Sequence, residues 1–162
     1  MVELTEQRRG ELEYGLPYYD VLPVASPAAG ANAVQAVDGA WACRVLAATA
    51  SLTTDANAAN RFVSLDFIQG RTAVPIRNGA GLVITASTTG QVFHWQRNRA
   101  VGEWATNTPV FVPLLDYLVP PGWSIQFTVD NKQATDQLSA LTLFVVKYQT
   151  GPEGVPLGVV GI

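Results

Sequence analysis

The chain has 162 residues, enough for one domain with or without tails. Hydrophobic residues make up 48% of it and charged residues only 14%, well below the roughly 25% of an ordinary soluble domain. The formal net charge of −3 provides no basic face to neutralise phosphates. We therefore expect no direct nucleic-acid partner.

Membrane, metal and disulfide chemistry are not expected either. No apolar run approaches the roughly 18 residues of a membrane-spanning segment, so no membrane partner is predicted. The first thirteen residues carry six charges, unlike a secretory signal, which favours synthesis in the cytoplasm. One cysteine and one histidine exclude an internal disulfide framework and a His-rich metal site. We predict no cofactor and no metal.

Residues 1–39 are predicted to form an N-terminal arm with a charged tip. From residue 14 onward the arm contains Pro17, Pro23 and Pro27 among apolar residues, without period 2 or period 3.6. This pattern indicates an extended segment rather than the centre of a sheet. Its apolar side chains need a surface to cover, and we expect that surface on another subunit. The predicted interface residues of the arm are Tyr14, Leu16, Tyr18, Tyr19, Val21 and Leu22.

After Gly39 the sequence changes to short β-rich runs separated by turn residues. Eight strands are predicted, at 41–50, 61–69, 71–76, 82–88, 91–97, 109–113, 123–129 and 138–148, with a turn at Asn78, Gly79, Ala80 and Gly81. Alternation is clearest at Val63, Leu65 and Phe67, which share one face. The uneven connections favour an all-β fold, an antiparallel β-sandwich of the jelly-roll type, over an up-and-down barrel. This domain is predicted to span residues 40–150.

The last twelve residues, 151–162, are predicted to form a C-terminal tail that is apolar rather than polar. They contain four glycines, two prolines and one charge. An apolar tail reduces solubility unless it is buried on its own domain or on a neighbour. The predicted interface residues of the tail are Val155, Leu157, Val159, Val160 and Ile162.

No catalytic constellation emerges from the reactive residues. His94 lies in a predicted strand, and Asp66 and Asp116 are the acids in strand or corner contexts that could reach it, but nothing completes a triad. Cys43 alternates with Trp41 and is expected in the core. We predict that the protein is not an enzyme.

Two polar loops, 53–60 and 130–136, offer oxygen atoms of the kind that calcium prefers. Neither matches an EF-hand loop, and a calcium site needs more oxygens than either segment supplies. Turn formation by Asp and Asn side chains explains both loops better.

Trp95 and Trp104 form a candidate ligand platform, with Arg97, Arg99 and Glu103 between them. Aromatic rings with polar neighbours stack against sugars, so a carbohydrate-binding module is an alternative function. Packing in the core or at a protein interface is the interpretation that we favour.

Three stretches resemble small β-sandwich structural proteins of tailed bacteriophages, particularly those that decorate or cement the head. They are SLTTDANAANRFVSLDF at 51–67, LLDYLVPPGWSIQF at 114–127 and DQLSALTLFVVKY at 136–148. The resemblance covers residues 41–148 and rests on strand, turn and proline positions, and it carries over no catalytic residue.

This resemblance implies a viral jelly roll that assembles as a homo-oligomer, with a trimer favoured. It also implies attachment to the major capsid protein or another virion protein, and a place in the virion. The long arm with its charged tip departs from the pattern and is the reason to keep a tail, collar or baseplate component as an alternative.

Overall fold

The computed structural model describes residues 17–69, 76–97 and 109–150. These residues form ten strands in two sheets, without a helix, which confirms the predicted all-β class. The strands are β1 (Tyr18–Pro23), β2 (Ala33–Ala36), β3 (Trp41–Thr53), β4 (Arg61–Ile68), β5 (Ile76–Ile84), β6 (Gln91–Gln96), β7 (Val110–Pro113), β8 (Leu118–Val119), β9 (Ser124–Asp130) and β10 (Gln137–Gln149).

The strands divide into two sheets that we call A and B. Sheet A has the order β1-β10-β3-β6-β7, with the short β8 also paired to β3, and sheet B has the order β2-β9-β4-β5. All described pairs are antiparallel except β6 and β7, which run parallel. The expectation of a purely antiparallel sandwich is therefore wrong at that pair.

The core lies between the inward faces of the two sheets, as the alternation of the strands predicts. Val63, Leu65 and Phe67 of β4 are buried there, together with Ile125 and Phe127 of β9. Sheet A contributes a matching set of buried side chains, which includes Val45, Leu52, Phe93, Trp95, Leu143 and Val145. Period-2 patterns thus fix which side of each strand faces the other sheet.

The segment 17–39 belongs to this sandwich and is not a separate arm. Strand β1 pairs with β10 at one edge of sheet A, and β2 pairs with β9 at one edge of sheet B. Val24, Ala33 and Val37 are buried in the core. The predicted boundary at residues 39 and 40 is therefore wrong. Prolines are tolerated on edge strands, which is why this proline-containing segment can still join a sheet.

The predicted turn at Asn78–Gly81 is also wrong, because these residues lie inside β5. Asn78 faces inward and is buried, and its side-chain amide donates to the Leu65 carbonyl at 2.9 Å. Its Oδ1 accepts the Leu115 N–H at 3.0 Å, and its main-chain carbonyl accepts the Trp95 indole N–H at 2.9 Å. Asn78 thus connects a strand of sheet B to Trp95 of sheet A, the largest fully buried side chain of the described residues.

A fully buried arginine, Arg61, occupies the first position of β4. Its Nε and Nη2 donate to both carboxylate oxygens of Asp136, at 2.9 and 3.1 Å. Nη2 also donates to Asp55 Oδ1, and Nη1 donates to the carbonyls of Asn57 and Ala59. All five guanidinium hydrogens therefore have acceptors. We call Arg61, Asp55 and Asp136 the arginine clasp.

The two carboxylates of the clasp hold loops on either side of Arg61. Asp136 accepts the backbone N–H groups of Asp55 and Gln133, at 3.0 and 2.7 Å. Asp55 accepts the Thr135 hydroxyl and the Asn57 amide, each at 2.7 Å. The two loops that the sequence offered as separate oxygen clusters are thus joined through one buried cation.

These contacts lower the pKa of both acids. For Asp55 the largest cause is the hydrogen bond from Thr135, followed among the favourable contacts by those from Asn57 and Arg61. For Asp136 burial opposes ionisation, but the hydrogen bonds from Arg61 and from the two backbone N–H groups outweigh it and lower the pKa.

Replacing Asp136 by alanine is expected to lower the free energy of unfolding by about 3 kcal/mol, because removing one member of a buried ion pair leaves the other charge uncompensated. Asp116→Ala is the matched control, since Asp116 is about half exposed while it pairs with Arg44 and Arg97. Its expected loss is below about 1 kcal/mol. Urea unfolding of both variants measures the difference, and equal losses would contradict the structural role of the clasp.

The clasp also predicts a pH dependence of stability. A carboxylate whose pKa in the folded chain is below its ordinary value of 3.8 stabilises the fold above that pH, and this contribution is lost as the pH falls through the folded value. The stability difference between wild type and Asp136→Ala should therefore be constant above about pH 5 and shrink below about pH 4. Urea unfolding at a series of pH values tests this, and a difference that grows in acid would refute it.

Candidate interaction surface

The face of sheet A that points away from sheet B carries large exposed apolar side chains. Tyr19 is 69% exposed and Val21 is 55% exposed on the edge strand β1, and Phe144 is 39% exposed on β10. The strand register sets Tyr19 opposite Val146 and Val21 opposite Phe144. We call this outward surface of sheet A the apolar face.

The apolar face continues across the sheet to β6 and β7. His94 and Phe111 are register partners, and their rings stack at 5.5 Å between centroids. The β3 positions between these two ends are small and uncharged, at Ala47, Thr49 and Ser51. Among the outward positions of the described paired strands in sheet A, Arg44 is the one charged residue, and its guanidinium carbon lies 6.0 Å from the centre of the Tyr148 ring.

The outward face of sheet B differs in charge. Arg77 of β5 donates to Asp130 at 2.6 Å and lies 3.4 Å from Asp66, so an ion-pair network crosses three strands. This face also exposes Phe62, 39% accessible, which stands opposite Asp130 in the register. Val34 and Val83 are also exposed on sheet B, so its outward face combines apolar side chains with three charged ones, whereas the strand positions of the apolar face include one charged residue.

The predicted interface residues divide into three groups. Tyr18, Tyr19 and Val21 are exposed, as an interface requires. Leu22 faces inward and packs against the core, so its contacts are within the chain. The remaining predicted positions, Tyr14, Leu16, Val155, Leu157, Val159, Val160 and Ile162, lie outside the described residues.

The candidate ligand platform is corrected at Trp95. This side chain is fully buried, its ring lies 5.8 Å from that of Phe127 in an edge-on arrangement, and its N–H is bonded to the Asn78 carbonyl. It is a core residue and offers no ring face to a ligand. Trp104 lies outside the described residues.

The reactive side chains take structural positions. His94 lies on the apolar face, and burial lowers its pKa. Asp66 and Asp116 pair with arginines, on sheet B and beside Arg44 respectively. Cys43 is buried, and burial raises the pKa of its thiol to about 11, so the reactive thiolate is scarce at neutral pH.

No metal cluster appears where the structure is described: residues 17–69, 76–97 and 109–150 contain no group of three or more His, Cys, Asp or Glu side chains placed to hold an ion. None of these residues forms a helix that could cross a membrane.

Phe144 and Phe111 are surface residues that the sequence does not predict as such. The signal was present in β10, where the run Leu138–Tyr148 is apolar at most positions of both parities. A strand that is apolar at both parities has two faces to cover, whereas a sandwich covers one.

No family model matches this chain, and no curated protein matches it in sequence.

Phe144→Asp should weaken self-association of the full chain by about tenfold to a hundredfold, because burying such a side chain is worth roughly 1.5–3 kcal/mol. Phe62→Asp is a matched control, since Phe62 has the same exposure on the opposite sheet. Sedimentation velocity over a concentration series measures the association, and circular dichroism melting shows that both variants fold. Equal association of wild type and Phe144→Asp would rule out the apolar face as an interface between copies.

Proposed function

We propose that this chain is a structural protein of a tailed-bacteriophage virion, where it decorates or cements the capsid as a homo-oligomer, with a trimer favoured. Its partners are copies of itself and the major capsid protein or another virion protein. The observation that carries the proposal is the apolar face, a sheet surface with the exposed apolar side chains Tyr19, Val21 and Phe144 and with Arg44 as the charged residue among its strand positions.

The strand pairing supports a jelly roll. Strand β1 pairs with β10, β2 with β9, β3 with β6 and β4 with β5. These pairs are nested, first with last and inward from there, as in one long antiparallel ribbon folded over into two sheets. Nested pairing of this kind is typical of double-sheet jelly rolls, an architecture used in viral capsid and lectin domains. The β7 and β8 strands are insertions into that plan.

The fold class alone does not decide between these uses, so the choice depends on the surface. One of the two rings that the sequence suggests for a sugar site, Trp95, is buried, so the pair of exposed tryptophan rings predicted for that site is not present. A cementing protein needs apolar area that a neighbour covers, and Tyr19, Val21 and Phe144 supply it. The surface therefore favours assembly over sugar binding.

Assembly through the apolar face requires that the free energy gained by burying its side chains exceed the free-energy cost of association. Each large side chain contributes roughly 1.5–3 kcal/mol when fully covered. Three such side chains contribute about 4.5–9 kcal/mol, whereas the loss of translational and rotational freedom on association costs about 4–15 kcal/mol, so one such contact is weak by itself. Repetition in a closed ring or on a lattice multiplies the same contact, which is how small subunits reach stable attachment.

Particle association tests the virion role directly. In cells infected by the virus that encodes this chain, the tagged wild type and Phe62→Asp should co-sediment with purified particles at equal stoichiometry. Phe144→Asp should be depleted about tenfold or more from the same fraction. Quantitative mass spectrometry of the gradient fractions measures this, and absence of the wild-type chain from particles would remove the proposal even if the protein self-associates in solution.

A further inference from the structure

Strand β1 lies at the edge of sheet A, and its outer side pairs with no strand of the described residues. An edge strand presents a row of backbone N–H and C=O groups to which another chain can add a strand. Tyr19 and Val21 make this edge apolar as well. An exposed apolar edge can pair with strands of other chains unless its backbone groups are blocked.

The hydrogen bonds show which backbone groups point outward. The Val24 N–H donates to the Leu141 carbonyl at 3.0 Å, so even-numbered positions along this segment direct their N–H groups toward β10. Residues 19, 21 and 23 therefore direct theirs to the outside. Pro23 has no N–H to offer. The Val21 N–H donates to Oδ1 of Asp20 at 2.9 Å.

Asp20 is held in this position from β10. Lys147 donates to its second oxygen, Oδ2, at 2.6 Å, and both side chains are about a quarter exposed. The hydrogen bond from Lys147 is the largest cause that lowers the pKa of Asp20, so the carboxylate is ionised at neutral pH. One oxygen is thus anchored to the neighbouring strand while the other covers the backbone donor at the edge.

We propose that Asp20, together with Pro23, hinders strand addition at the β1 edge by occupying or removing two of its three outward N–H positions, at residues 21 and 23, and that removing the Asp20 acceptor favours pairing of this edge with β1 of a second copy. The partner is a second copy because an antiparallel pair of identical strands about a twofold axis is self-complementary. In that pair each Val21 N–H meets a carbonyl of the other β1, and the exposed Tyr19 and Val21 side chains of the two copies become neighbours. The proposal concerns backbone pairing at the edge of the sheet and requires no contact through Phe144 or through the part of the apolar face on β3, β6 and β7.

The test uses the full chain carrying Phe144→Asp, so that association through the apolar face is suppressed in every sample. Adding Asp20→Ala should produce a dimer with a dissociation constant at least about tenfold lower than that of the parent. Adding Asp20→Asn should leave the parent behaviour, because the amide oxygen still accepts the Val21 N–H. Sedimentation equilibrium measures the dissociation constants of both variants. If Phe144→Asp does not reduce association, that result contradicts the proposed role of the apolar face and leaves the edge proposal to be decided by the Asp20 variants.

Two further variants separate the edge donor from the ion pair. Lys147→Met removes the ion pair but leaves Asp20 next to the Val21 N–H, so it should behave as the parent. Val21→Pro in the Asp20→Ala chain removes the outward N–H without breaking a bond to β10, and it should abolish the new dimer. The proposal is overturned if Asp20→Ala sediments like Asp20→Asn, if Lys147→Met dimerises equally, or if the dimer survives Val21→Pro.

Discussion

The buried charge of Arg61 is the constraint on which the arrangement of this sandwich depends. A guanidinium with no access to water is tolerated only when each of its donors has an acceptor, and here the acceptors come from the two loops that the clasp joins. Asp55 follows the end of β3, Arg61 begins β4, and Asp136 immediately precedes β10. The clasp therefore sets where three strands begin or end, two of them adjacent in sheet A.

Because Asp136 fixes the point where β10 begins, it also affects which side chains of β10 point into the core and which point outward onto the apolar face. From Asp136 the chain enters β10 with Leu138 facing inward, and an extra residue near Ala140, whose φ is 50°, shifts the alternation. Leu141, Leu143 and Val145 then point into the core, and Phe144 points out. Because a slip of one residue reverses every side chain, the same bulge that completes the core also places Phe144 on the surface.

Local alternation of apolar and polar residues predicts much of the core, and the same alternation predicts that Arg61 is buried. It shares the parity of Val63, Leu65 and Phe67, so the pattern that predicts their burial also predicts a buried arginine in need of carboxylates. The sequence predicts a turn at Asn78 because Asn78, Gly79 and Gly81 are residue types that dominate turns. Its hydrogen bonds to Leu65, Trp95 and Leu115 come from three separate segments, and no local pattern encodes them.

The N-terminal segment shows a different limit. Its prolines correctly excluded the centre of a sheet, but an edge strand and a free extended arm have the same local pattern. What distinguishes an edge strand from a free arm here is pairing with distant strands: β1 pairs with β10 and β2 pairs with β9, about a hundred residues away along the chain. Pairing at that separation depends on the complete sandwich, so the sequence identified the apolar residues without revealing that Leu22 and Val24 are covered within the same chain.

Edge and face together determine how such a protein can associate. Backbone pairing at an open edge is indifferent to most side chains, so it admits many partners. A sheet face depends on the shape of its side chains, so it admits few partners and closes when the symmetry closes. Strand β1 carries both surfaces on adjacent residues, with Asp20 on the backbone donor of Val21 and the side chains of Tyr19 and Val21 in solvent. Occupying the backbone donor while exposing the side chains favours association through the shape of particular side chains over backbone pairing with any exposed strand.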